Sequence, residues 1–179
     1  MAPTDEALAR GWQRGDEASA RAVVDRYAGA LGAVAYGILN DHSLAEEAVQ
    51  ESFARAARTI RQLNDPRRIG PWLVTIARNA AYDIHRKRAI RRETSLEGVD
   101  AVTAANPAID ARRNELAERL RSVVATLPED QRDLFLMKYM ADMSYAAIAA
   151  TLGITPEAVS QKLWRIRRKL QQERQEFRP

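Results

Sequence analysis

Apolar residues recur along this chain at the spacing of an α-helical turn, and several long stretches keep the pattern unbroken. From Glu17 to Leu39 the inward set is Ala20, Val23, Val24, Tyr27, Leu31, Val34, Ala35, Ile38 and Leu39, with Asp16 placed to cap the start. Residues 8–13 predict a shorter helix before it, and the chain up to about Glu6 reads as a frayed end. Gly29, Gly32 and Gly37 either weaken the long helix or let a neighbouring helix approach closely. Asn40-Asp41-His42-Ser43 predicts a turn ending in a cap, followed by a helix from 44 to about 60. That helix turns Leu44, Ala48, Val49, Ser52, Phe53, Ala56 and Ile60 inward. Residues 62–70 form a loop through Asn64-Asp65-Pro66. Pro71 then opens a helix running to about 88, with Trp72, Leu73, Ile76, Ala80 and Ile84 inside.

A break in the pattern follows. Residues 93–110 carry Glu93, Glu97, Asp100 and Asp110 with no Lys or Arg, and Gly98 and Pro107 interrupt them. This composition predicts a flexible linker. Helical spacing resumes over 112–127 with Leu116, Leu120, Val123, Val124 and Leu127. Pro128-Glu129-Asp130 opens another helix that buries Leu134, Phe135, Met137 and Met140. The expected fold is all-α: two small helical domains, 1–92 and 111–179, joined by the 93–110 linker.

Residues 144–170 carry two helix starts in close succession. Ser144 caps the first, Met143 can staple onto Ile148, and Gly153 sits where the helix must end. Thr155 caps again, Pro156 takes the first helical position, and Val159, Leu163, Ile166 and Leu170 form the buried stripe. Two helices joined by a short glycine turn make a helix-turn-helix. The second helix shows Ser160, Gln161, Lys162, Trp164, Arg165 and Arg168 on its other sides, groups suited to base edges and phosphates.

Charge sharpens this picture more than composition does. The 179 residues are 46% hydrophobic and 29% charged with a net charge of only +4, but the basic residues are clustered. Arg61, Arg67, Arg68, Arg78, Arg86, Lys87, Arg88, Arg91 and Arg92 are opposed locally only by Asp65 and Asp83. On the outward side of the 71–88 helix, Thr75, Arg78, Asn79, Tyr82, His85 and Arg86 read as a nucleic-acid surface. The 44–60 helix instead shows an acidic and amide patch, Glu46, Glu47, Gln50 and Glu51. Glu46 and Glu47 also suit the helix dipole, whereas Gln50 and Glu51 are left for a partner.

Cysteine is absent, which excludes disulfides and thiolate metal sites in this chain. No phosphate-cradling glycine loop, zinc helix or serine elbow is present, and two histidines do not make a metal site. Neither an enzyme nor a cofactor or metal is expected. No apolar run of spanning length and no signal peptide is read, so a cytoplasmic protein without membrane insertion is expected.

Three segments carry a family resemblance. AEEAVQESF at 45–53 is similar to the AEDLVQETF signature of region 2.2 in bacterial sigma factors. Residues 71–88, PWLVTIARNAAYDIHRKR, resemble regions 2.3 and 2.4, and residues 127–170 resemble region 4. With only these two regions, the chain resembles the extracytoplasmic-function (ECF) group of the sigma-70 family. The resemblance implies binding to core RNA polymerase, through the β′ coiled coil and the β flap. Glu46, Glu47, Gln50 and Glu51 would meet the coiled coil. Asn64, Arg67, Arg78, Asn79, Tyr82, Arg86 and Lys87 would hold the promoter −10 element. Ser160, Gln161, Lys162, Trp164, Arg165 and Arg168 would read the −35 element. It also implies an anti-sigma partner. The chain departs from the family pattern at Ala147, at Ala48 and across residues 157–162.

A rival reading is a stand-alone helix-turn-helix regulator that binds an operator as a dimer. It predicts a heptad seam, which is not visible, and leaves the acidic patch and the basic helix without a joint purpose. A helical scaffold or anti-sigma-like binding protein fits the acidic patch but not the basic helix.

Overall fold

Among the described residues of the computed structural model, 3–94, 124 and 126–176, every regular element is helical. The chain divides into two compact units, Met1–Gly98 and Val99–Pro179. The expected linker and the expected 112–127 helix lie largely outside the described residues.

In the first unit α1 spans Asp5–Gln13, α2 Glu17–Leu39, α3 His42–Thr59 and α4 Ile69–Thr94. Short 3-10 turns at Ile60–Gln62 and Pro66–Arg68 join α3 to α4. Asp16 caps α2 as expected, accepting from the Ala18 and Ser19 amides. Asn40 ends it in the left-handed region at φ 49°. The α3 cap is Asp41, whose Oδ1 accepts from the Leu44 amide at 3.2 Å, so the helix begins ahead of the expected Ser43 cap. Helix α4 likewise runs past the expected end at about 88 and takes in Glu93 and Thr94.

The core lies between α2, α3 and α4. Helix α2 gives Val23, Leu31, Val34 and Ile38, while α4 gives Leu73, Val74, Ala77, Ala80 and Ala81. Helix α3 contributes the small residues Ala45, Ala48, Ser52 and Ala56, so its backbone sits close to its neighbours. Ser52 satisfies its buried hydroxyl within its own helix, donating to the Ala48 carbonyl at 2.5 Å.

Residues 4–6, expected to fray, are instead held at the start of α1. Thr4 caps α1, and Asp5 accepts from Arg26 and from the Tyr27 hydroxyl, each at 2.6 Å. Those partners are on α2 and cannot be seen from local propensity. Burial first, and then the hydrogen bond to Asp5, push the Tyr27 phenol well above its usual pKa. Two close approaches fix this corner. A Cβ on Gly11 would fall 2.1 Å from Ser19 Oγ, and one on Gly70 would fall 2.9 Å from the Tyr27 hydroxyl.

Helix α2 corrects a second expectation, since it is long and apolar enough to cross a membrane by length and composition. Its alanines and glycines raise the hydropathy, yet in the fold its larger apolar residues pack against α3 and α4 as core.

In the second unit α5 spans Glu129–Phe135 and continues as a π turn, Leu136–Met140. Asp133, Leu134, Phe135, Leu136 and Met137 are all buried, an unbroken run wider than one α-helical stripe. The wider π turn shifts the phase, and Met140, expected inside, emerges 36% exposed. Helix α6 is Tyr145–Leu152 and α7 is Pro156–Glu176. The turn between them is built as its residues predict. Ser144 Oγ accepts from Ala147 N at 3.2 Å, Gly153 is left-handed at φ 67°, and Thr155 Oγ1 accepts from Ala158 N at 3.2 Å.

Candidate nucleic-acid and partner interfaces

Helix α3 packs with its alanine side and so turns Glu46, Glu47 and Gln50 fully outward. Glu51 lies at the edge of this patch and is engaged within the chain. Its Oε1 accepts from Arg55 Nε at 2.7 Å and from Arg58 at 3.5 Å. Arg55 also donates to Asp83 of α4 at 3.2 Å, and Asp83 accepts from Arg86 at 2.5 Å. One ion chain therefore runs from the acidic patch to the basic helix. The hydrogen bond from Arg55, and then its charge, hold the Glu51 carboxyl below its usual range. Arg55 and Arg86 do the same to Asp83.

The patch is not purely acidic. An open groove of about 510 Å³ lies between α2 and α3, lined by Gly32, Ala33, Tyr36, Ala45 and Val49, with Glu46 and Gln50 at its rim. A Cβ added to Gly29 or Gly32 would meet nothing within 4 Å. Neither glycine therefore serves close helix packing, and Gly32 keeps the groove open instead.

The basic side starts in the α3–α4 loop. Ile60, Leu63, Pro66 and Ile69 are buried at every third position, leaving Arg61, Gln62, Asn64, Arg67 and Arg68 exposed. Arg67 curls back on Asp65, Nε to Oδ1 at 3.0 Å and Nη2 to Oδ2 at 3.2 Å. On α4, Asn79, Arg86 and Lys87 are exposed and Arg78 is half-buried. Tyr82 is a correction: it is only 8% exposed, with the Arg78 guanidinium 5.0 Å from its ring centroid. Helix α4 is covered by both α2 and α3, and its buried arc is displaced from the expected stripe: Val74, Ala77, Ala81 and Tyr82 are buried, whereas Trp72, Ile76 and Ile84, expected inside, are only partly covered.

On α7, Val159, Leu163 and Ile166 are fully buried, whereas Leu170 is only partly covered. Ser160, Gln161, Trp164, Arg165 and Arg168 face out. Trp164 is 57% exposed, and the Arg168 guanidinium lies 5.5 Å from its ring centroid. Lys162 is held differently from its neighbours: its Nζ donates to Asp130 of α5 at 2.8 Å. That bond keeps the Asp130 carboxyl below its usual range. Among the described residues, no cluster of His, Cys, Asp and Glu could hold a metal ion.

The sequence reading missed Arg55, Asp83 and Asp130 as parts of these surfaces. The Glu51–Arg55 pair was findable from its i,i+4 spacing. Asp83 pairs locally with Arg86 at i,i+3, whereas its bond to Arg55 and the bond of Asp130 to Lys162 join residues distant in the chain and left no local signal.

These features define a helical protein with two modules. One sets an acidic and amide face beside a basic loop and helix, and the other is a helix-turn-helix of the kind that enters a DNA groove. Residues 23–91 match Sigma-70 region 2, and residues 117–170 match Sigma-70, region 4. The chain is 30% identical over 141 residues to the ECF RNA polymerase sigma factor EcfG of Rhodopseudomonas palustris, covering 78% of this chain and 76% of that one. It is 31% identical over 140 residues to the probable RNA polymerase sigma factor RfaY of Xanthomonas campestris, and the match spans 35% of that longer relative. The solved structure of CnrH in complex with the cytosolic domain of CnrY shares the fold at a TM-score of 0.75 and 24% identity, covering 97% of this chain and 99% of that one. The chain belongs to the ECF sigma factors of the sigma-70 family.

Proposed function

We propose that this sigma factor docks on the β′ coiled coil of core RNA polymerase through the outward face of α3, and also contacts the β flap. Glu46, Glu47 and Gln50 supply the polar contacts and the α2–α3 groove receives an apolar side chain. Glu51 acts mainly within the fold by holding Arg55. Asn64 and Arg67 of the loop, with Arg78, Asn79, Arg86 and Lys87, hold the −10 element, and Tyr82 supports Arg78 from below. Ser160, Gln161, Trp164, Arg165 and Arg168 enter the major groove of the −35 element, with Lys162 released from Asp130 to a phosphate. The chain acts as a specificity subunit rather than as a catalyst, and it works in the cytoplasm. An anti-sigma factor covers the same surfaces when the chain is held inactive.

The observation that carries this reading is the face of α7 opposite Val159, Leu163 and Ile166, which sets an exposed amide, an indole and two guanidinium groups on one side. Start sites mapped after overexpression supply the promoter for a test. Purified chain with core polymerase should transcribe from it, and neither component alone should. A chain that binds that DNA as a dimer and adds no specific transcription to core polymerase would overturn the reading in favour of a stand-alone regulator.

A further inference from the structure

Helix α1 carries none of the groups assigned to the polymerase or to DNA, yet its last residue grips the α3–α4 loop. Gln13 Nε2 donates to the Ile60 carbonyl at 3.1 Å and to the Leu63 carbonyl at 2.8 Å. These carbonyls belong to the first residue of the 3-10 turn and to the residue that caps it, which the Leu63 amide also closes by donating to Ile60 O at 3.1 Å. One carboxamide nitrogen has two N–H groups, so a single side chain satisfies both.

The second bond has a geometric consequence. The Leu63 carbonyl and the Asn64 amide share one rigid peptide plane. Holding that carbonyl fixes the direction in which the chain enters Asn64, whose side chain is exposed at the tip of the loop. Gln13 is itself delivered at a set position. Gly11 lies against Ser19, and Asp5 is held by Arg26 and Tyr27, so α1 can neither slide nor turn.

We propose that Gln13 is a positioning residue for base recognition at the −10 element, locking the Leu63–Asn64 peptide so that Asn64 meets a base there in one orientation. The proposal rests on the reading of this loop as the −10 reader, and the test separates the two. Holoenzyme is used to select from promoter DNA randomised across the −10 element, with the −35 element randomised in a second library. Base preference at each position is then read by sequencing.

Asn64→Ala should flatten the preference at the position Asn64 reads, which establishes the loop as the reader. Gln13→Glu keeps the shape but sets a carboxylate against two carbonyls, and should cut that preference by roughly tenfold. It should leave the −35 preferences unchanged. Gln13→Lys restores donors to both carbonyls and should recover most of the preference. A role in filling space alone predicts the reverse order, with glutamate tolerated and lysine harmful. If Asn64→Ala flattens a position while Gln13→Glu does not, the proposal falls and the loop reading stands. If Asn64→Ala alters no position, both fall. Should Gln13→Glu melt early, Gln13→Lys decides: a folded variant with flattened preference also overturns the proposal.

Discussion

Replacing Glu47 by lysine tests the docking face with the least disturbance to the fold. Glu47 is exposed on α3 and, among the described residues, joins none of the ion pairs that tie α3 to α4. Glu51→Lys is a poorer probe, because the new ammonium would face Arg55 and Arg58 and remove the carboxylate that both of them hold. A unit-charge pair about 4 Å apart at a wet interface contributes about 1 kcal/mol. Reversal removes that attraction and adds a repulsion of similar size, so the loss is about 2 kcal/mol, or roughly thirtyfold in Kd at low ionic strength. Salt should shrink the difference, and most of it should appear in the association rate. Fluorescence anisotropy of labelled chain titrated with core polymerase over a salt series measures both, with a circular dichroism melt confirming the fold. An intact melt with the parent Kd at low ionic strength would refute the docking face.

Other outcomes follow from the same structure. Tyr27→Phe removes the hydroxyl bonded to Asp5 and should lower stability by about 1 kcal/mol at neutral pH, read by chemical denaturation. Because the folded-state pKa is raised above the ordinary 10.0, that contribution is full below pH 10 and is lost as pH rises through the folded value. The variant should therefore show a flatter alkaline decline. Asp130→Asn frees Lys162 and should strengthen binding to random duplex DNA, steepening the salt slope by about one counterion, measured by filter binding. Leu163→Ala opens a cavity beneath the fully buried face of α7 and should cost about 2–5 kcal/mol in the second unit, lowering its melting transition and abolishing −35 binding.

Much of this was legible in the sequence where local chemistry decides. The Ser144 cap, the Gly153 stop and the Thr155-Pro156 start fix the helix-turn-helix from residues adjacent in the chain. The acidic face of α3 followed from period alone. What was hidden depends on partners distant in the chain. Tyr82 is buried because two helices flank α4, and Asp5 ties α1 to α2 because Arg26 and Tyr27 wait there. The phase shift at Leu136–Met140 is invisible to any reading that assumes one helical period throughout.

If the α3–α4 loop, α4 and α7 bind DNA as proposed, the pairing of their cations changes how their charge should be counted. Arg67 is tied to Asp65, Arg86 to Asp83 and Lys162 to Asp130. Exposed pairs of this kind contribute little to stability once solvent screens them, so they are a weak explanation of the fold. Their effect falls on DNA instead. A phosphate arriving at any of these sites must displace a carboxylate, and random duplex gains less from each contact than a bare cation would give. Exposed Arg165 and Arg168, which join no ion pair among the described residues, would keep their full attraction on the face proposed to read the −35 element. The distribution of carboxylates thus favours contacts that depend on bases over contacts that any backbone can supply.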